Sequence, residues 1–144
     1  MLTEPQRRFL DVSLVGHLAT ADANGAPHVI PVCYAIEATA LYITIDQKPK
    51  RATQTPLKRI ANILVNPAVA VCVDRYDDTW ARLAWILLRG AAEILTEGIE
   101  HDRAQNLLRQ RYPQYQTMAI DKLPVIALRI AQITTWGDLS DPPD

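Results

Sequence analysis

Glycine is scarce in this sequence, five residues in 144. None of them forms a Gly-x-Gly-x-x-Gly or Walker-type loop, so the glycine-rich phosphate cradles of nucleotide-binding α/β folds are excluded. Serine is scarcer. Ser13 has no evident base partner and Ser140 lies in the tail, so serine-hydrolase chemistry has no support. The three histidines, His17, His28 and His101, are widely separated and lack ligand spacing, which argues against zinc. No apolar run approaches the ~20 residues of a membrane helix. The N-terminus lacks a basic-then-apolar leader pattern, so the expectation is a cytoplasmic chain. A net charge of −1 gives no global field to recruit nucleic acid or a membrane surface.

Cysteine is nearly absent as well. Cys33 and Cys72 each sit in an apolar run and read as buried strand thiols. Their spacing matches no metal or redox motif, though a disulfide between them stays open.

What is present is an ordinary globular composition, 49% hydrophobic and 22% charged, on a length that fits one domain over residues 1–144. Thr3-Glu4-Pro5-Gln6 reads as a capping box with proline in the first turn, opening a helix to about Val12. Val15–Thr20 reads as a strand. Asn24-Gly25 supplies the positive φ angles of a tight hairpin turn. Pro27–Ile36 is the returning strand, and Pro31 within it requires an edge or a bulge. Ala40–Asp46 alternates as a third strand. Thr55 and Pro56 open a helix as cap and first residue, with Leu57, Ile60, Ala61 and Leu64 on its apolar face. Ala68–Asp74 is a buried strand, Tyr76–Arg82 a loop, and Ala84–Leu95 a strand bent at Gly90. Thr96–Arg111 is helical with Ile99, Leu107 and Leu108 inward and His101 exposed. Val125–Trp136 is the last strand. His17, among apolar strand neighbours, reads as a structural histidine. Strands joined by short links pair antiparallel, so the order predicts a mainly β (α+β) fold: a barrel or sandwich of about six strands with three flanking helices.

Cations gather in one stretch. Lys48, Lys50 and Arg51 follow a strand end, and Lys58 and Arg59 open the next helix. A helix start favours anions, and lysine and arginine donors there suit a phosphate or carboxylate. The alternative is a solvated basic loop. Trp80 lies in a polar segment, Asp77-Asp78-Thr79-Trp80, where a flat ring system, a partner subunit or packing at a loop base would each account for it. Trp85 reads as core or as part of the same feature, with Arg82 and Arg89 nearby. Asp77-Asp78 is weak as an acid–base pair, and no catalytic constellation stands out.

Taken together, Gly16–Thr20 with Asn24–Val32, Lys58–Ile63 with Asn66–Val69, and Trp85 through Arg89–Ala92 resemble the pyridoxamine 5'-phosphate oxidase-like split β-barrel superfamily over nearly the whole chain. Ile45–Arg51, Asp74–Trp80 and Trp85 resemble its group of probable F420-dependent enzymes most closely. The resemblance implies a split antiparallel barrel and a homodimer with F420 or FMN in clefts between the subunits. It implies that His28, Val29, Ile30, Pro31 and Val32 line the ring system. Thr44, Lys48, Lys50, Arg51, Lys58 and Arg59 would hold the phosphate, with Lys50 and Arg51 suited to an F420 polyglutamate tail. Trp80, Trp85 and Arg89 would complete the cleft, from the other subunit. The implied activity is an oxidoreductase passing hydride to or from a small-molecule substrate. The cofactor would carry the chemistry while the protein orients it and excludes water. The rivals are an FMN-dependent pyridoxamine 5'-phosphate oxidase-related protein, a non-catalytic cofactor carrier, and haem held by His28. The arginine and serine pattern that fixes pyridoxal phosphate in the true oxidases is not matched, which speaks against vitamin B6 oxidation.

Overall fold

A computed structural model describes residues 1–45 and 57–140. Asp46, Gln47, Lys48, Pro49, Lys50, Arg51, Thr55 and Pro56 therefore lie outside the described residues, and with them three of the expected phosphate ligands and the expected helix cap. Helix α1 (Glu4–Val12) carries the expected capping box: the Thr3 hydroxyl accepts from the Gln6 amide, and the Gln6 side chain accepts from the Thr3 amide. Its Phe9 and Leu10 are buried.

Strands β1 (Gly16–Ala21) and β2 (Pro27–Val32) form the opening hairpin. The turn between them differs from the expectation in its chemistry. Only Gly25 has a positive φ, 81°. The Asp22 carboxylate does the rest, accepting from the Asn24 and Ala26 amides at 2.9 Å, an Asx-type turn.

The expected return strand Pro27–Ile36 is broken into β2 and β3 (Ala35–Glu37). Tyr34 causes the break. Its amide donates to the Tyr112 hydroxyl at 3.0 Å, and its own hydroxyl turns inward to the carbonyls of Leu10 and Ser13. Thereafter come β4 (Ala40–Thr44), α2 (Lys58–Val65), β5 (Ala68–Arg75), a short 3-10 turn Trp80–Arg82, β6 (Ala84–Leu95), α3 (Ile99–Arg111), a second 3-10 turn Pro113–Gln116, and β7 (Val125–Gly137).

The described residues form seven strands, one more than expected, because of that break. They make a single antiparallel sheet in the order β2-β1-β5-β6-β7-β4-β3. β2 is an edge, as Pro31 requires. β6 slips register at Arg89/Gly90, where a Cβ on Gly90 would collide with the Arg129 carbonyl, so the bend needs glycine there. This curled, open sheet with three helices is the split half-barrel.

Each face of β4 and of the start of β7 is covered. Leu41, Ile43, Ile126 and Leu128 join the main core with Leu18, Val71, Ile86 and Leu88. Ala40, Tyr42, Val125 and Ala127 instead pack against Ala104 and Leu108 of α3 and against Tyr115. α3 thus covers one end of the outer face, and α1 and α2 close the inner side.

Several readings at residue level change. α3 faces inward through His101, Ala104, Gln105 and Leu108, spaced i, i+3, i+4, i+7. Ile99 is therefore 90% exposed, and His101 is buried between the Asp102 carboxylate at 3.0 Å and the Leu123 carbonyl at 2.8 Å. α2 begins at Lys58 with Leu57 as an N-cap that no side chain caps. Its buried residues are Arg59, Asn62 and Ile63, while Leu64 is 68% exposed. His17 is exposed rather than core, because strand alternation buries Gly16, Leu18 and Thr20 and turns His17 out. Both cysteines are free and only half-buried.

Candidate functional site

The end of β4 is where the candidate site residues meet. Ile30, Pro31 and Val32 of β2, Thr44 of β4 and Arg59 of α2 line one cleft of about 300 Å³. Residues from three separate stretches of the chain are thereby brought together. Val15, Cys33, Ile43 and Tyr115 complete the walls, and sequence reasoning missed them as site residues. Tyr115 follows Pro113 in a short turn after α3, and nothing in its local sequence points to a cleft 71 residues downstream of Thr44. Cys33 could have been found, because it directly follows the β2 run.

The cleft lining combines two polar residues, Thr44 and Arg59, with mostly apolar neighbours. Arg59, 8% exposed, sits in the first turn of α2, where backbone N–H groups and the helix dipole add positive potential. Thr44 is 3% exposed, and its hydroxyl oxygen accepts from Gln105 Nε2 at 2.9 Å. Ile30, Pro31, Val32 and Val15 line the same cleft. A charged guanidinium and a hydroxyl beside an apolar strand fit a small anion joined to a flat apolar body.

The other candidates lie elsewhere. Lys58 is exposed, its ammonium 4.0 Å from Asp22. His28 is half-buried, and its Nδ1 is buried with no hydrogen-bond partner among the described residues. Strand alternation directs Val29, 61% exposed, to the outer face of the sheet. On that same face Trp85 borders a shallow hollow with His17, Cys72, Asp74 and Leu87. Arg89 borders another with Ala19, Ala70 and Gln132. Burial and the neighbouring Asp74 charge push the Cys72 thiol pKa up. Trp80, 73% exposed, lies in the 3-10 turn beyond β5. Within one copy of the chain, Trp80, Trp85 and Arg89 do not line the cleft.

Among the described residues no group of three or more His, Cys, Asp or Glu is placed to hold a metal ion. No helix among them is long and apolar enough to cross a membrane.

Known proteins with the same architecture place this geometry in context. A FAD-binding protein from Mesorhizobium loti is 25% identical, covering 93% of this chain and 94% of its own, with TM-score 0.68. A heme storage protein from Vibrio cholerae is 16% identical, covering 95% of each chain, with TM-score 0.70. A conserved hypothetical protein from Mycobacterium tuberculosis is 22% identical, covering 95% of this chain and 86% of its own, with TM-score 0.71. At these lower identities the last two report the fold alone. No curated protein matches the chain. The family model described as pyridoxamine 5'-phosphate oxidase matches residues 2–137, and the chain belongs to that split-barrel family.

Proposed function

We propose that this chain binds a phosphorylated flavin-type cofactor, F420 or FMN, in the cleft at the end of β4. It acts there as a cytoplasmic oxidoreductase on a small organic substrate. One observation carries this reading: Ile30, Pro31, Val32, Thr44 and Arg59 converge on one cleft that includes a buried cation and a buried hydroxyl. The FAD-binding relative from Mesorhizobium loti supports a flavin-type ligand.

The residues present suit such a group. Arg59 and Thr44 would hold the phosphate, and Ile30, Pro31 and Val32 would lie along the ring. When bound, the cofactor supplies hydride chemistry; the chain binds it, orients it and excludes water. Lys48, Lys50, Arg51 and Lys58 join the phosphate site on the family resemblance alone. At about 300 Å³ the cleft is at the small end of ligand sites, ~300–1,000 Å³, so a cofactor with two parts extends beyond it.

A second copy of the chain supplies the remaining wall in this proposal. α3 covers the outer face only over β3, β4 and the start of β7. Over β2, β1, β5 and β6 that face carries Val29, Ala19, Ala70, Cys72, Trp85 and Leu87 with no helix on it. An uncovered sheet face of this kind, apolar residues interspersed with His17, Asp74 and Arg89, suits an interface. Pairing there would bring Trp80, Trp85 and Arg89 of each copy toward the other's cleft.

The second reading, haem, is favoured by the buried His28 Nδ1 that lacks a hydrogen-bond partner among the described residues. Native mass spectrometry of the protein mixed with FMN, F420 and haem reports bound mass and subunit count together. A dimer carrying two FMN or two F420 is the expected result. Haem in place of either turns the assignment to His28, and a monomer with full cofactor overturns the shared cleft. A loaded protein that no cofactor-reducing system can reduce is a carrier, not an enzyme.

A further inference from the structure

We propose that Gln105, which does not line the cleft, biases the hydrogen-bonding direction of Thr44 and so sets the grip on the cofactor's phosphate. This rests on the phosphate reading above and goes beyond it, since it assigns a positioning residue on α3.

The geometry is as follows. Gln105 is 1% exposed. Its Nε2 shares two protons among three acceptors, the Ile120 carbonyl at 2.9 Å, the Leu123 carbonyl at 3.1 Å and Thr44 Oγ1 at 2.9 Å. Its Oε1 has no hydrogen-bond partner among the described residues. Turning the amide over would set Oε1 against two backbone carbonyls, so the nitrogen must face them. The Leu123 carbonyl is itself held by His101 Nε2 at 2.8 Å, which keeps the anchoring segment in place.

Thr44 has one hydroxyl proton and two acceptor lone pairs. Because Gln105 donates to it, the hydroxyl proton is not used on Gln105. Thr44 is 3% exposed and lines the cleft, so with one lone pair engaged by Gln105 the hydroxyl keeps its proton for a ligand in the cleft. A donor is what a phosphate oxygen needs; an acceptor would repel it. α3 thereby biases the hydroxyl toward donating into the cleft, before any ligand arrives.

The same pairing occurs once more. Asn62 Nδ2 donates to Thr20 Oγ1 at 3.0 Å, both residues buried. Thr20 does not line the cleft, so this pair serves as an internal control for loss of a buried amide–hydroxyl bond.

The test measures dissociation constants for FMN and for riboflavin, which lacks the phosphate, and takes their ratio. If F420 is the ligand, F420 and its phosphate-free chromophore replace the pair. Thr44→Val is expected to lower the preference for the phosphorylated form about tenfold, the value of a hydrogen bond to a charged group. Gln105→Met is expected to lower it about threefold to tenfold, with phosphate-free affinity unchanged. The double variant should fall no further than Thr44→Val alone, because Gln105 acts through Thr44. Thr20→Val should leave the ratio untouched. If Gln105→Met does not fold, Gln105→Asn, one methylene shorter of Thr44, carries the same expectation. A Gln105 variant that keeps the wild-type ratio, or a double variant whose effects simply add, overturns the role of Gln105 and leaves the phosphate site standing. A wild-type protein with no preference for the phosphorylated form overturns both.

Discussion

Replacing Arg59 with methionine isolates the electrostatic part of the proposed grip. Methionine keeps an unbranched apolar stem in the volume that the arginine stem occupies, so packing changes little. What is lost is a guanidinium, 8% exposed, in the first turn of α2 and on the wall of the cleft. A hydrogen bond to a charged group contributes about 1.5–3 kcal/mol, and each 1.4 kcal/mol is tenfold in affinity. Arg59→Met should therefore weaken FMN binding about 10-fold to 100-fold. Riboflavin has the same ring and no phosphate, so its affinity should move less than about threefold. Isothermal titration of both ligands at one ionic strength gives the two numbers, and melting temperature confirms that the variant is folded. Screening adds a further signature: wild-type FMN affinity should fall with added salt more steeply than that of the variant. Equal losses for FMN and riboflavin would mean that Arg59 acts through packing of α2. No loss for FMN would move the phosphate away from this wall of the cleft.

Three other outcomes follow from the same structure. Leu87→Glu plants a charge in the middle of the uncovered outer face, between Cys72 and Thr134 in register; sedimentation equilibrium should show a monomer with weakened cofactor binding, and an unchanged dimer would move the interface elsewhere. Hydrogen bonds from Arg129, then from Tyr42, hold the Glu100 carboxyl at about 2, below its ordinary 4.5. A lowered folded pKa gives stability that is present above the unfolded value and lost as pH falls toward the folded one. Urea unfolding should thus show wild type losing about 1 kcal/mol more than Glu100→Gln between about pH 5 and pH 2, a figure reduced for solvent screening because the side chain is 39% exposed. Arg111→Met removes donors to the carbonyls of Leu10, Asp11 and Ser13 at 2.8–2.9 Å and a stack on Tyr34; calorimetry should show a loss of about 2 kcal/mol, with the FMN-to-riboflavin ratio unchanged.

The sheet and its helices were legible because period and turn chemistry agree over most of the chain. Thr3 to Gln6 is a complete capping box, Pro31 marks an edge, and Gly90 marks a bend. Helix faces were less legible. α3 buries His101 and Gln105, polar residues that a hydrophobic pattern assigns to solvent, because backbone carbonyls of Leu123 and Ile120 await them. Those partners come from a segment with no periodicity of its own. Charge was the least informative signal. Arg75 serves the carbonyls of Arg82, Asp138 and Ser140. Arg103, Arg109 and Arg129 serve Glu37, Asp121, and Glu93 with Glu100. Arginines that stitch the fold and an arginine that lines a cleft look alike in sequence. Only the placement of Arg59 at a helix start beside a strand end set it apart.

The position of the cleft follows from how the barrel is split. β2 and β3 are consecutive in the chain yet stand at opposite edges of the sheet. Only Cys33 and Tyr34 separate them, so Val32 and Ala35 are within three Cα steps, at most about 11 Å. Two edges that close in space without a hydrogen-bonded ladder between them leave a gap in the curled sheet. The cleft lies at that gap: Val32 and Cys33 form one side, Ile43 and Thr44 the other. Full closure would pair those strands and fill the space with side chains. Tyr34, between them, commits its hydroxyl to Leu10 and Ser13 and its amide to Tyr112 rather than to a strand ladder. A ligand site here therefore needs no excavation of the hydrophobic core. The stable part of the barrel, Leu18, Val71, Ile86 and Leu88, remains fully buried, while the unpaired edges are free to evolve contacts to a cofactor. On this reading a change of ligand would need changes only at the open seam, and the sheet that frames it could stay as it is.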